Sequence, residues 1–181
     1  LLHGASGADV AVVEGVMGLF DGRLGSDGFA STAHVARLIG APVVLVVDAR
    51  HTSRSVGALV LGMATFDPDI RIGGVVLNQI GSSRHEAEAR AAVERVGVPV
   101  LGSLPRNLEI EAPSRHLGLV PAAERDDAGI VAMGDVVAAH VDLDALLALA
   151  GTAPPLAAEP WRPPLAPPRG AGATGRPRVA V

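Results

Sequence analysis

Residues 42–48 read Pro42-Val43-Val44-Leu45-Val46-Val47-Asp48. Five apolar, mostly β-branched residues follow a proline without a break, and a carboxylate closes the run. A strand with one wet face would alternate. A continuous apolar run marks a strand covered on both faces, as in a parallel sheet. Gly73–Leu77, ending at Asn78, and Val98–Leu101, leading into Gly102-Ser103-Leu104-Pro105-Arg106, repeat the pattern downstream. Between these runs lie helical stretches. Ser53 or Ser55 starts a helix over residues 56–65, and Ser82 or Ser83 caps one over 84–95, stopped by Gly97. Asp67-Pro68-Asp69 supplies turn chemistry between them. Upstream, Ser31 or Thr32 caps a helix over 33–39 that ends at Gly40. Strand and helix thus alternate three times in about ninety residues, the signal of a doubly wound α/β sheet with right-handed crossovers.

The chain upstream of that first helix reads Ala11-Val12-Val13-Glu14-Gly15-Val16-Met17-Gly18-Leu19-Phe20-Asp21-Gly22. Residues 10–14 predict a further strand with Glu14 at its carboxyl end. A long glycine-rich loop, residues 15–29, carries Asp21, Arg23 and Asp27; loops this long in compact domains are usually functional or disordered. Ligands of open α/β sheets sit outside the carboxyl ends of the strands. Two carboxylates on a turn whose glycines admit a ligand suit Mg²⁺ with a phosphate, because Mg²⁺ takes one or two carboxylates plus substrate oxygens. The same pair also suits general acid–base work. Ser31 and Thr32 stand where free helix N–H groups meet an anion.

Downstream of Arg106 the pattern breaks. Residues 107–121 are irregular, 122–139 predict a helix, and 143–150 a short helix initiated by Asp142. Residues 151–177 hold eight of the fourteen prolines, a semi-extended linker by composition. The chain divides near Gly151. It opens without Met and closes on RPRVAV, so it reads as an internal piece of a longer polypeptide.

Composition narrows the function classes. A net charge of −4 gives no electrostatic case for nucleic acid. No apolar run suits a membrane span, and no signal peptide opens the chain. With no Cys there is neither disulfide nor thiol chemistry, which suits the cytoplasm. All fifteen basic residues are Arg, so a phosphate loop G-x-x-x-x-G-K-[ST] does not occur within these residues. The six His show no metal-ligand spacing; His34 reads as a packed or half-exposed residue of the first helix.

The string EGVMGLFDG, residues 14–22, resembles the motif of the cobyrinic acid a,c-diamide synthase family, including its hydrogenobyrinic acid-using members. The resemblance continues through STAHVARLIGAPVVLVVDAR, VLNQIGSSRH, VPVLGSLPR and SRHLGLVPAAE, from about Val10 to Glu124. It implies a partial P-loop NTPase fold of the dethiobiotin synthetase type. Residues 1–150 would be the carboxyl-terminal part of an ATP-dependent synthetase domain, 151–177 a linker, and 178–181 the start of a glutamine amidotransferase domain. The implied cofactors are ATP and Mg²⁺. The implied reaction is amidation of corrinoid carboxylates a and c through acyl phosphates, with glutamine-derived ammonia.

In that reading Glu14 holds the metal, and Glu14 and Asp21 act at the γ-phosphate. Asn78, Pro105 and Arg106 form the adenine site, since an amide matches the donor and acceptor of adenine. Ser31, Thr32, Asp48, Arg50, Arg54, Arg115 and His116, with Arg23, are candidates for the polycarboxylate substrate, because guanidinium groups grip carboxylates in bidentate fashion. No nucleic acid or membrane is among the implied partners, and a homodimer is left open. The alternatives are a sister synthetase (cobyric acid synthase, dethiobiotin synthetase or nickel-sirohydrochlorin diamide synthase) or a ParA/MinD-like ATPase switch. The switch would want a DNA or membrane surface, and the sequence shows neither a basic patch nor a terminal amphipathic anchor. A non-catalytic α/β binding module is the remaining reading.

Overall fold

The computed structural model describes residues 1–106 and 127–162. Two compact units divide the chain: Leu1–Ala11 with Ala157–Val181, and Val12–Leu156. The first unit, in its described part, is a set of turns in which a His3 ring nitrogen lies 2.7 Å from the Trp161 carbonyl oxygen.

The second unit holds α1 (Thr32–Ile39), β1 (Val43–Asp48), α2 (Ser55–Phe66), β2 (Ile72–Ile80), α3 (Ser83–Glu94), β3 (Val100–Pro105), α4 (Asp127–His140) and α5 (Leu143–Ala150). The three strands form one parallel sheet in the order β1-β2-β3. Alternate residues of the strands feed opposite faces. On one face Val47, Val75 and Leu77 pack with Val56 and Val60 of α2 and Ala89 and Val93 of α3. On the other, Val76 and Leu101 pack with Val141, and Leu146 and Leu149 of α5 close over them. Both faces are covered at β2, as its uninterrupted apolar run requires, whereas β1, expected to be buried on both faces, leaves Val46 in solvent because it pairs with β2 on one side alone among the described strands. Leu19 and Ala33 add a third cluster with Ile70, which seats the glycine-rich loop and α1 beside Val43 and Leu45 of β1.

Local chemistry sets the helix ends. Ser31 Oγ accepts from the His34 N–H at 3.0 Å, and Gly40 ends α1 at φ 64°. Ser82 Oγ accepts from the His85 N–H at 3.2 Å, and Asp142 Oδ1 from the Ala145 N–H at 2.9 Å. These are the caps expected from the sequence. The expected cap of α2 is not: neither Ser53 nor Ser55 caps it. Arg54 stands at the cap position in helical geometry, with no side-chain bond to the helix.

The strand expected over residues 10–14 does not form. A strand exists by its ladder, and among the described residues no strand pairs with this stretch. Its side chains stay in solvent, with Val12 85% and Val13 48% exposed. β2 and β3 run further than expected, so Asn78 and Pro105 belong to the strands rather than following them. β1 pairs only with β2, and Val46 is 65% exposed on its outer part.

Candidate functional site

The carboxyl ends of the three strands converge. Asp48 lies in register with Asn78, and Ile80 with Pro105. The Ala49 N–H donates to the Asn78 carbonyl and the Arg106 N–H to the Ile80 carbonyl, both at 2.9 Å. Arg106 Nη2 donates to the Arg50 carbonyl at 3.4 Å. Asp48, Arg50, Asn78, Pro105 and Arg106, scattered over nearly sixty residues, therefore share one edge. Arg54 follows on the same connection and stays exposed at the start of α2.

Backbone geometry turns two of these side chains inward on their own loops. Asp48 Oδ1 accepts from the Arg50 N–H at 2.8 Å. Asn78 Oδ1 accepts from the Gln79 N–H at 2.9 Å, helped by Gln79 in the left-handed region at φ 65°. Among the described residues, no protein group accepts a hydrogen bond from the Asn78 NH₂.

Sequence reasoning gave His85 no role. Its Nδ1 accepts from the Gly81 N–H at 3.3 Å, and a backbone N–H can only donate, so the ring proton is on Nε2. Nε2–H donates to the Thr52 carbonyl at 2.6 Å. His85 thereby ties the loop after β1 to the start of α3. No spacing pattern could have revealed this, because the partners lie 33 residues apart and meet only through the sheet.

Glu14 and Asp21 lie exposed on the glycine-rich loop. The loop glycines are close approaches. A Cβ on Gly15 would stand 2.5 Å from Thr32 Oγ1, so the peptide after Glu14 rests on the first residue of α1. A Cβ on Gly18 would collide with the Asp21 carboxylate, which folds back over its own turn. The Ala33 N–H donates to the Leu19 carbonyl at 2.9 Å and fixes the loop to the helix. Glu14, Thr32, Ser31 and Asp21 are thus held around the amino end of α1. The exposed carboxylates of Glu14 and Asp21, with the Thr32 hydroxyl, are oxygen donors of the kind that fits Mg²⁺ with phosphate oxygens. Among the described residues, no three His or acidic side chains gather into a complete metal cage. A magnesium ion bound largely through phosphates does not require one. Arg115 and His116 lie outside the described residues.

The AAA domain family model matches residues 5–114. The chain belongs to this family. The match starts before the glycine-rich loop and runs past all three strands. The α/β architecture, with its three-stranded parallel sheet and helices, is consistent with a P-loop NTPase-like domain of this family. Beyond the family model, the chain is 59% identical over 166 residues to hydrogenobyrinate a,c-diamide synthase of Thermobifida fusca, covering 89% of this chain and 35% of that protein. It is 59% identical over 163 residues to the enzyme of the same name from Streptomyces coelicolor, covering 88% and 34%. The enzyme of that name from Rhodobacter capsulatus is 46% identical over 164 residues, covering 88% and 38%. The resemblance carried by EGVMGLFDG therefore extends over nearly the whole chain, and the chain spans about a third of the length of these relatives. No solved structure matches it. Among the described residues, no helix is long and apolar enough to cross a membrane.

Proposed function

We propose that this chain is part of the ATP-dependent synthetase domain of a hydrogenobyrinate a,c-diamide synthase. Residues 1–150 belong to the synthetase domain, 151–177 to a linker, and 178–181 to the entry of a glutamine-hydrolysing domain. The full protein acts in the cytoplasm, in cobalamin biosynthesis. The observation that carries this reading is the relationship to enzymes of that name along nearly nine tenths of the chain. The convergence of Asp48, Asn78 and Arg106 at one sheet edge is consistent with it.

The chemistry follows from the electrophile. A carboxylate resists attack by ammonia until one of its oxygens becomes a leaving group. Transfer of the γ-phosphoryl of ATP forms a carboxyl O–P bond and releases ADP. Ammonia from glutamine then attacks the acyl carbon, phosphate departs, and the amine nitrogen loses its extra proton. Such transfer is mainly positioning and charge stabilisation. Asn78, Pro105 and Arg106 hold the adenine. Glu14 and Asp21 face the phosphates, and Glu14 holds the Mg²⁺ whose charge offsets that of the phosphoryl oxygens. Ser31 and Thr32 at the start of α1, with Asp48, Arg50 and Arg54, and Arg115 and His116 beyond them, bind the corrinoid carboxylates.

The test is Glu14→Gln in the full-length enzyme. The amide keeps the shape and removes the charge a metal needs. Amidation of hydrogenobyrinic acid falls below detection while glutamine hydrolysis persists. Amidation at the wild-type rate would remove Glu14 from the metal site.

A further inference from the structure

The stretch VLNQIGSSRH, residues 76–85, runs from β2 into α3 and ends on a histidine that the proposed function leaves without a role. Two bonds fix that residue in place. Its backbone N–H is taken by the Ser82 cap at 3.2 Å, which sets it in the first turn of α3. Its Nδ1 accepts from the Gly81 N–H at 3.3 Å, which orients the ring and leaves the proton on Nε2. The one remaining donor, Nε2–H, meets the Thr52 carbonyl oxygen at 2.6 Å.

Thr52 lies on the connection between β1 and α2, residues 49–54. Little else holds this connection. Arg50, His51, Thr52 and Arg54 are exposed, so burial contributes little to its position. The helix that follows has no side-chain cap, because Arg54 stands at the cap position without bonding to it. The bonds from the Arg50 N–H to Asp48 Oδ1 and from the Thr52 N–H to the Ala49 carbonyl shape the turn but do not attach it to anything. Among the described residues, three hydrogen bonds attach it to neighbouring elements. The Ala49 N–H donates to the Asn78 carbonyl at 2.9 Å, but this continues the pairing of β1 with β2 and holds only the first residue of the loop. Arg106 Nη2 reaches the Arg50 carbonyl at a long 3.4 Å. The third and shortest is the His85 bond to Thr52.

We propose that His85 is a positioning residue, which holds this loop where its guanidinium groups can bind ligand. Arg50 and Arg54, the proposed contacts to substrate carboxylates, stand two residues to either side of Thr52. Arg106, a proposed adenine contact, rests on the Arg50 carbonyl. One donor on α3 therefore sets the reach of guanidinium groups toward both substrates. In this role His85 contacts neither ligand and acts through the loop. The inference rests on the proposed function and adds to it a residue that the function itself does not name.

Two measurements on the full-length enzyme test it. Hydrogen exchange read by mass spectrometry follows the loop itself. His85→Leu, which fills the space of the ring without a donor, speeds exchange across residues 49–57 and leaves β2 and β3 unchanged. Steady-state kinetics follow the consequence. His85→Leu raises KM for ATP and for hydrogenobyrinic acid together, each roughly fivefold, the scale of one hydrogen bond. The values of kcat and of glutamine hydrolysis stay put, the pattern of binding lost equally from ground and transition states. His85→Gln, whose amide supplies a donor near the Nε2 position, restores both KM values and the slow exchange. Slow exchange in His85→Leu overturns the inference, because the loop is then held without His85. Fast exchange with both KM values unchanged overturns it as well, because the position of the loop then has no bearing on binding. A fall in kcat alone, equal in the Leu and Gln variants, would make His85 a packing residue and overturn it too. In all three cases ATP-dependent amidation by the wild-type enzyme leaves the proposed function standing. If the wild-type enzyme carries out no such amidation, the functional reading falls and the positioning role falls with it.

Discussion

Asn78, proposed to contact the adenine, is held by its own backbone. Its Oδ1 is engaged by the Gln79 N–H, so the amide cannot rotate freely. Replacing it by Asp keeps the size and the Gln79 bond but removes both donors. Asn78→Asp in the full-length enzyme is expected to raise KM for ATP roughly tenfold, the scale of a lost ligand hydrogen bond. KM for the corrinoid should stay put; equal rises in both would place Asn78 outside the adenine site. Ser103 makes a different residue-scale case. It is buried in β3, and among the described residues its Oγ finds no hydrogen-bond partner. Ser103→Ala removes a desolvated hydroxyl, so thermal unfolding should show unchanged stability or a gain of about 1 kcal/mol. Asn78, Asp48 and Arg106 were legible as site candidates because parallel strands put their carboxyl ends on one edge. His85 was not, because its contact with the Thr52 carbonyl joins segments 33 residues apart.

At the scale of elements, the strands and helices of residues 31–106 follow from their own patterning. Apolar runs became the parallel strands, and Ser31, Ser82 and Asp142 became caps whose side-chain oxygens accept from free helix N–H groups. The stretch 10–14 has the same apolar signature and is no strand. The difference lies in the partner: a helix closes its hydrogen bonds within itself, whereas a strand borrows them from a neighbour. Helix packing also has a part that patterning does not report. Gly57 in α2 faces α3 so closely that a Cβ there would stand 2.5 Å from the Ala92 carbonyl oxygen. The clash is with backbone, which cannot rotate away. Gly57→Ala would relieve a helix of glycine's entropic cost, worth roughly 1 kcal/mol. Forcing α2 from α3 costs about 1–3 kcal/mol. The second effect wins, and urea unfolding should show a net loss; a stabilised variant would mean that the two helices do not pack this tightly.

At the scale of the whole molecule, the question is how much of an ATP-using site these 181 residues contain. The proposed adenine edge at Asn78, Pro105 and Arg106 and the carboxylates of Glu14 and Asp21 lie within them. The 181 residues do not supply a lysine, or the glycine-rich loop that ends in Lys and Ser or Thr, anywhere in the sequence. Backbone N–H groups of such a loop cradle the phosphates, and its lysine reaches the β- and γ-oxygens. Without them the triphosphate would meet the amino end of α1 and two carboxylates, and the carboxylates repel it unless a cation intervenes. Phosphoryl transfer depends on positioning and charge stabilisation more than on any covalent step, so a chain lacking these groups has little means of accelerating it. The relatives it matches are nearly three times as long, which leaves ample chain to carry such a loop. The 181-residue chain on its own should therefore release no phosphate from ATP above background, with or without Mg²⁺ and hydrogenobyrinic acid, while the full-length protein does so in their presence. Phosphate release by the isolated chain, abolished by Glu14→Gln, would show that Glu14 and the amino end of α1 hold the triphosphate without a lysine, and the division of labour proposed for this domain would have to be redrawn around α1.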